Sequence, residues 1–265
     1  KPAFEPIVVA RKPLIGTVIQ NVLQYKTGGI NINATRIGNE TITINTFDNG
    51  AKPFGGAVGE PFTSRESVGR WPANVILDEF TAEIIDDQSG VSKSTASELY
   101  LPDIRSGKYG SSDSNREDID KTIRGYNDSG GASRFFYVAK ANKKDRNEGL
   151  DDLQEKSKIF NGKSNTSAGN APGSVEDKFT TKPQKNFHPT VKPTELMRYL
   201  VKLVTPPNGI VLDPFTGSGS TGKAAILEGF SFIGIELTEE YIPIIEGRLS
   251  DAQRQIDERS GDLFD

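Results

Sequence analysis

The chain has 265 residues, a formal net charge of −4 and no cysteine. That length holds one large domain, or one domain with a sizeable insertion, and the lack of cysteine excludes disulfides and thiolate metal sites. No apolar run approaches the roughly 18 residues of a membrane span, so a cytoplasmic protein with no membrane partner is expected.

Glu5–Ala10 is a short β-branched run and reads as a strand. Thr17 is placed to cap a helix running to Tyr25, with Val18, Val22 and Leu23 on one face and Gly28-Gly29 ending it. Ile30–Ile37 alternates apolar and polar residues and reads as a half-exposed strand. Residues 38–186 carry few periodic signals. Strands are expected at Asn74–Leu77 and Arg134–Ala139, the latter placing Phe135 and Tyr137 on one face. Trp71 is expected in the core. Polar, glycine-rich stretches such as Ser111–Asn115 and Asn161–Gly173 bury too little apolar surface to order themselves.

The next stretch is locally clear. Pro193 suits a first helical turn, and Leu196, Met197, Leu200, Val201 and Val204 form the apolar stripe of a helix. Pro206-Pro-Asn-Gly209 breaks it. Ile210–Leu212 reads as a buried strand, Asp213–Thr221 as a glycine turn, and Ser220–Glu228 as a helix. Phe232–Ile235 is a second strand, closed by Glu236. This is one βαβ half of a doubly wound α/β sheet. The final stretch is acidic, with nine Asp/Glu against three Lys/Arg from Glu236 to Asp265. From Lys140 to Lys185 the balance is ten basic to seven acidic residues, so the net charge does not exclude nucleic acid.

Gly217-Ser-Gly-Ser-Thr-Gly222, with Glu236 about 20 residues from its start, fits a dinucleotide fingerprint and so an NAD-dependent oxidoreductase. Gly217 to Lys223 also imitates a phosphate loop. There the next residue must be Ser or Thr to ligate magnesium, and Ala224 removes that contact. The flanks support a third reading. Asp213-Pro-Phe precedes the glycines, His188-Pro-Thr-Val-Lys-Pro193 lies about 25 residues upstream of them, and Gly234-Ile-Glu236 follows.

From His188 to Leu249 this combination resembles the β-class DNA amino-methyltransferases, phage-type members included, which methylate adenine N6 or cytosine N4. The resemblance implies a Rossmann-like sheet binding S-adenosylmethionine, with double-stranded DNA as partner. It implies that Asp213 faces the methionine amino group, directly or through water, that the Phe215–Gly219 backbone wraps the methionine portion, and that Pro214, Gly217, Ser218, Gly219 and Thr221 belong to the same cofactor site. Glu236 would hold the ribose and Leu237 would pack on adenine. His188, Thr190 and Lys192 would close the far side, with His188 expected as a turn residue rather than a base. Gly69–Asn74 and Ser133–Lys140 look like pieces of a target-recognition insert. Lys143, Lys144 and Arg146 are its candidate DNA contacts, and no metal is expected. The expected organisation is 1–37 in the catalytic sheet, 38–186 as the insert, 187–250 as the cofactor unit and 251–265 as an acidic tail.

The family orients the target amine with an Asp/Asn/Ser-Pro-Pro-Tyr/Phe tetrapeptide. The only Pro-Pro here is Pro206-Pro207, between Thr205 and Asn208 and without an aromatic residue. No catalytic residue is therefore expected within the chain. In the family's order the tetrapeptide would lie upstream of Lys1, and Met197 is the only methionine. A fragment served by an upstream piece is one expectation. A catalytically silent, DNA- and cofactor-binding subunit of a split methyltransferase is the alternative.

Overall fold

A computed structural model describes residues 5–47, 62–94, 97–99, 122–124, 128–139, 143–156, 159–161, 178–180 and 183–261. Residues 111–115 and 162–173, expected as loops, lie outside the described residues. The chain divides into two compact units: 35–138, and a second formed by 1–34 with 139–265.

Helix α1, Val18–Tyr25, begins with a reciprocal cap in which the Gln20 amide donates to Thr17 Oγ1 and the Thr17 amide donates to Gln20 Oε1. It ends at Lys26, which adopts the left-handed conformation two residues before the glycines expected to stop it. Glu5–Ala10, expected as a strand, has no regular structure. A β-branched run is not a strand without a partner to pair with. Ile30–Ile37 also differs. The Asn31 side chain accepts the Ala34 amide and a 3-10 turn forms at Asn33–Thr35, so the strand starts only at Ile37.

The 35–138 unit holds a long antiparallel hairpin, β1 (Ile37–Phe47) with β2 (Phe62–Arg70). Next come β3 (Ile76–Asp78), α2 (Glu79–Ser89) and β4 (Ser92–Lys93). The short strands β5 (Ser97–Leu99) and β6 (Thr122–Arg124) pair with each other, β7 (Ser129–Gly130) pairs with β4, and β8 (Tyr137–Ala139) follows. Phe135 lies in a 3-10 turn, Ala132–Phe135, so it does not share a strand face with Tyr137. The two recognition-like phrases meet here. Asp128 accepts from Arg70 and from Arg134, whose guanidiniums lie 5.1 and 4.2 Å from the Phe135 ring. Trp71, expected in the core, is exposed.

In the other unit, β9 (Ile159–Asn161) pairs with β10 (Lys178–Thr180), and α3 (Thr194–Val204) packs on α4 (Ser220–Leu227). The α3 residue Arg198 reaches Glu228 at 2.5 Å and fastens the two helices. Strands β11 (Ile210–Asp213) and β12 (Ser231–Gly234) run parallel on either side of α4 in sequence, which is the expected βαβ unit. The closing helix α5, Ile242–Gly261, starts one residue before Pro243. Residues 251–260, expected as an acidic tail, are its second half. Ile244, Arg248, Asp251 and Ala252 recur at helical spacing on a buried face, and that face orders the segment. Residues 143–156 and 183–186, read from sequence as insert, fold in this unit.

The sheet face bearing Ile210, Leu212, Ile233 and Ile235 is 51–63% exposed. Parallel sheets are ordinarily covered on both faces, so this is an apolar surface of the chain taken alone. The opposite face is tightly filled. A Cβ on Gly222 would lie 2.5 Å from the Phe232 ring and 2.6 Å from Leu249. Gly222→Ala is therefore expected to cost about 1–3 kcal/mol of stability through overpacking. Urea unfolding checks it, and an unchanged midpoint would contradict this account of helix-on-strand packing.

Candidate functional site

Strand β11 ends at Asp213 and the chain turns back through six residues, 214–219, with two left-handed glycines, Gly217 (φ 57°) and Gly219 (φ 74°). Only glycine takes such angles without steric cost. Crowding adds to this at Gly217, where a Cβ would stand 2.9 Å from His188 Nε2. Helix α4 then starts with no side-chain cap on its N-terminal amides. Amides left uncapped beside a glycine turn are suited to polar or anionic ligand groups.

Glu236 stands across from this turn. Its Oε2 accepts the Gly217 amide at 2.7 Å and its Oε1 accepts the Thr238 amide at 2.8 Å. The Thr238 amide, then the Gly217 amide, hold this carboxyl below the ordinary glutamate range, against the opposing pull of burial, and nearby His188 adds to the lowering. Each oxygen keeps a second lone pair, the acceptor geometry that a pair of vicinal hydroxyls requires. Next to it, Leu237 is 97% exposed and Phe215 is 88% exposed. Two exposed apolar side chains on the loops that carry the charged acceptor offer contact area for a nucleoside, ribose on the acid and base on the apolar groups. The residues present thus fit the adenosine part of the expected cofactor.

Asp213 faces its own turn. Its Oδ1 accepts the Phe215 amide at 3.0 Å, and its backbone carbonyl accepts from Thr216 Oγ1. Pro214 is exposed, Thr221 is half-buried, and Ser218 is buried. His188 is half-buried, its ring edge-on to Tyr241 at 4.7 Å, and its Nδ1 accepts the Thr190 amide. It acts there as a turn residue beside Gly217. Thr190 is exposed, and Lys192 reaches out to Glu5 at 2.5 Å. Lys223, the lysine of the phosphate-loop imitation, is 2% exposed and bound to Glu148 at 2.7 Å, so it is buried rather than presented to a phosphate.

Lys144 is exposed, whereas Arg146 donates to the His188 carbonyl at 2.7 Å. Sequence reading offered Arg146 to DNA and missed that it supports the His188 turn. Buried Asn186 completes the support. It donates to the Arg146 carbonyl, and its Oδ1 accepts the His188 amide. Tyr241 was missed too, although an aromatic residue just after the acid-ended strand was a visible signal.

The family model described as DNA methylase (N6/N4 methyltransferase) matches residues 17–247. Among individual proteins, the putative methylase YubD of Escherichia coli K12 is 51% identical over 67 residues, covering 25% of this chain and 30% of that protein. The DNA adenine methyltransferase YhdJ of the same strain is 51% identical over 55 residues, or 21% of this chain and 19% of that protein. Type II methyltransferase M.HinfI of Haemophilus influenzae is 43% identical over 65 residues, covering 24% and 18%. A crystal structure of an M1.HpyAVI–SAM complex is 48% identical over 23% of this chain and 32% of that one, with a TM-score of 0.23. The matched stretch therefore spans under a third of each relative's length.

A lowered carboxyl pKa has a definite pH signature. Above the unfolded glutamate's pKa, the Glu236 bridge contributes its full stability, and that contribution is lost as pH falls through the depressed folded value. In urea unfolding from about pH 6 to about pH 3, wild type should lose stability at the acid end more steeply than Glu236→Gln. Parallel curves over the whole range would remove the bridge from the account.

Proposed function

Because this chain belongs to the N6/N4 DNA methylase family, we propose that its glycine turn binds S-adenosylmethionine. On this reading the protein serves methyl transfer to the exocyclic amine of adenine (N6) or cytosine (N4) in double-stranded DNA. The observation that carries the proposal is the pairing of Glu236 with Gly217, beside the exposed side chains of Phe215 and Leu237. S-adenosylmethionine supplies an electrophilic methyl group on a sulfonium. The chain's own residues hold the donor. Glu236 accepts the ribose hydroxyls, Leu237 and Phe215 shield the adenine from water, and the turn from Asp213 to Thr221 surrounds the methionine portion. His188, Thr190 and Lys192 border the same pocket.

No residue of the chain takes the role of orienting the amine, because its sequence has no Asp/Asn/Ser-Pro-Pro-aromatic tetrapeptide. That favours division of labour as a second reading. This chain contributes cofactor and DNA binding, and another polypeptide or segment contributes the amine acceptors. Orientation and electrostatics supply most of the barrier reduction in such a transfer. The 265-residue chain alone should then transfer methyl groups to DNA only at background rate. Adding a polypeptide that bears the tetrapeptide should raise the rate, as read by tritiated-methyl incorporation. Robust transfer by the chain alone would overturn this second reading.

Calorimetry tests the cofactor reading. S-adenosylhomocysteine should bind wild type, and Glu236→Ala should weaken it by roughly 2–4 kcal/mol through loss of hydrogen bonds to an ionised acceptor. Tight NAD binding without any response to S-adenosylhomocysteine would move the protein to the oxidoreductases.

For DNA, Lys143 and Lys144 are the proposed phosphate contacts, and Arg146 is set aside because it braces His188. Charge reversal at both lysines should flatten the salt dependence of binding by close to one unit of slope for each phosphate no longer neutralised. An unchanged slope would leave them as solvated surface.

A further inference from the structure

Against the glycine turn lies a buried polar cluster that reaches well beyond the βαβ motif. Arg248 of α5 is 0% exposed. Its Nη1 donates to the Ser218 carbonyl at 2.6 Å, to Ser220 Oγ at 3.0 Å and to Ser218 Oγ at 3.2 Å. Its Nη2 donates to the Asp145 carbonyl at 3.2 Å and lies 3.5 Å from that residue's carboxylate. The same carboxylate accepts the Thr194 amide at 2.6 Å, the Thr194 hydroxyl, and Lys223 Nζ at 3.4 Å. Lys223 is also bound to Glu148, which accepts in turn from Gln255 of α5. Arg248 and Lys223 thus share the carboxylates of Asp145 and Glu148.

The partners of these charges are informative. Asp145 ties together the first residue of α3, the first turn of α4 and the second turn of α5. Arg248 extends that tie into the glycine turn itself, through the two serines that alternate with its glycines. A turn with two left-handed glycines loses much conformational entropy when it is fixed, and its own hydrogen bonds, from Phe215 and Thr216 to Asp213 and from Gly219 to Thr216, are all local. Burial pulls the Arg248 guanidinium below its ordinary value, with Asp145 and Glu148 opposing that pull. A buried charge of this kind persists only where its partners hold it in one geometry.

We propose that Arg248, held by Asp145, is a positioning residue that sets the shape of the cofactor turn from behind. Ser218 and Ser220 are the contacts through which it acts. The role for the cofactor rests on the reading of the turn as the S-adenosylmethionine site, but the effect on the turn does not.

The test is residue-resolved amide hydrogen exchange on the ligand-free full chain, joined to calorimetry with S-adenosylhomocysteine. In Arg248→Lys, which keeps the charge but cannot reach both serines and Asp145, the Gly217 and Gly219 amides should exchange roughly tenfold faster. The amides of Tyr199 and Val201 in α3 should keep their wild-type rates. Ser220→Ala, a milder change that decides the matter if Arg248→Lys does not fold, should give the same local pattern. Combining the two should add little further. Affinity for S-adenosylhomocysteine should fall by a similar factor in each. Acceleration spread evenly over turn and α3 would make Arg248 a general stability residue and overturn the proposal, as would an unchanged turn. If wild type does not bind S-adenosylhomocysteine yet the turn loosens as described, the cofactor reading fails and the positioning role stands.

Discussion

Glu236 accepts the Gly217 and Thr238 amides together, joining the end of one parallel strand to the turn that leaves the other. The rest of the site depends on that bridge. Beside it, the Thr216 amide donates to the Ile235 carbonyl, so the loops leaving β11 and β12 are tied at two points. The acid, the glycines and the exposed side chains of Phe215 and Leu237 lie on the two loops that the bridge joins. The carboxylate is ionised and hydrogen-bonded before any ligand arrives, so binding need not also meet the cost of ordering the turn.

The turn is braced from both sides. Glu236 works on the face open to solvent, and the Asp145–Arg248 pair works on the buried face. The two braces differ in character. The outer one has acceptor capacity left for a ligand. The inner one is enclosed and fixes geometry alone. The His188 segment closes a third side, through Arg146 and Asn186 behind it and Tyr241 beside it. A small two-stranded parallel sheet can present a defined site because its loops are held by charges from distant parts of the chain.

What was legible in the sequence follows from this. The βαβ unit is encoded within about 30 contiguous residues, where strand, glycines, helix and acid each carry a local signal. Helix α1 was readable from Thr17 for the same reason. Arg248 was not readable, because its partner Asp145 is 103 positions away and no spacing rule spans that distance. Asp145 itself sits between Lys144 and Arg146 in a stretch that looked like a solvated basic surface. Helix α2 had a signal that went unused, since Asp78 caps it by accepting the Thr81 amide. The strands expected at Glu5–Ala10 and Ile30–Ile37 failed through competition. One pairs with no strand among the described residues, and in the other an Asn side chain offered the backbone a turn instead.

The central claim is that this turn is a preformed seat for an adenosine-bearing methyl donor. A crystal structure of the chain with S-adenosylhomocysteine tests it most directly. The account predicts ribose hydroxyls on the Glu236 carboxylate, adenine against Leu237, and Gly217 and Gly219 keeping their left-handed angles. A ligand seated elsewhere, or a turn that must refold to receive it, would contradict it.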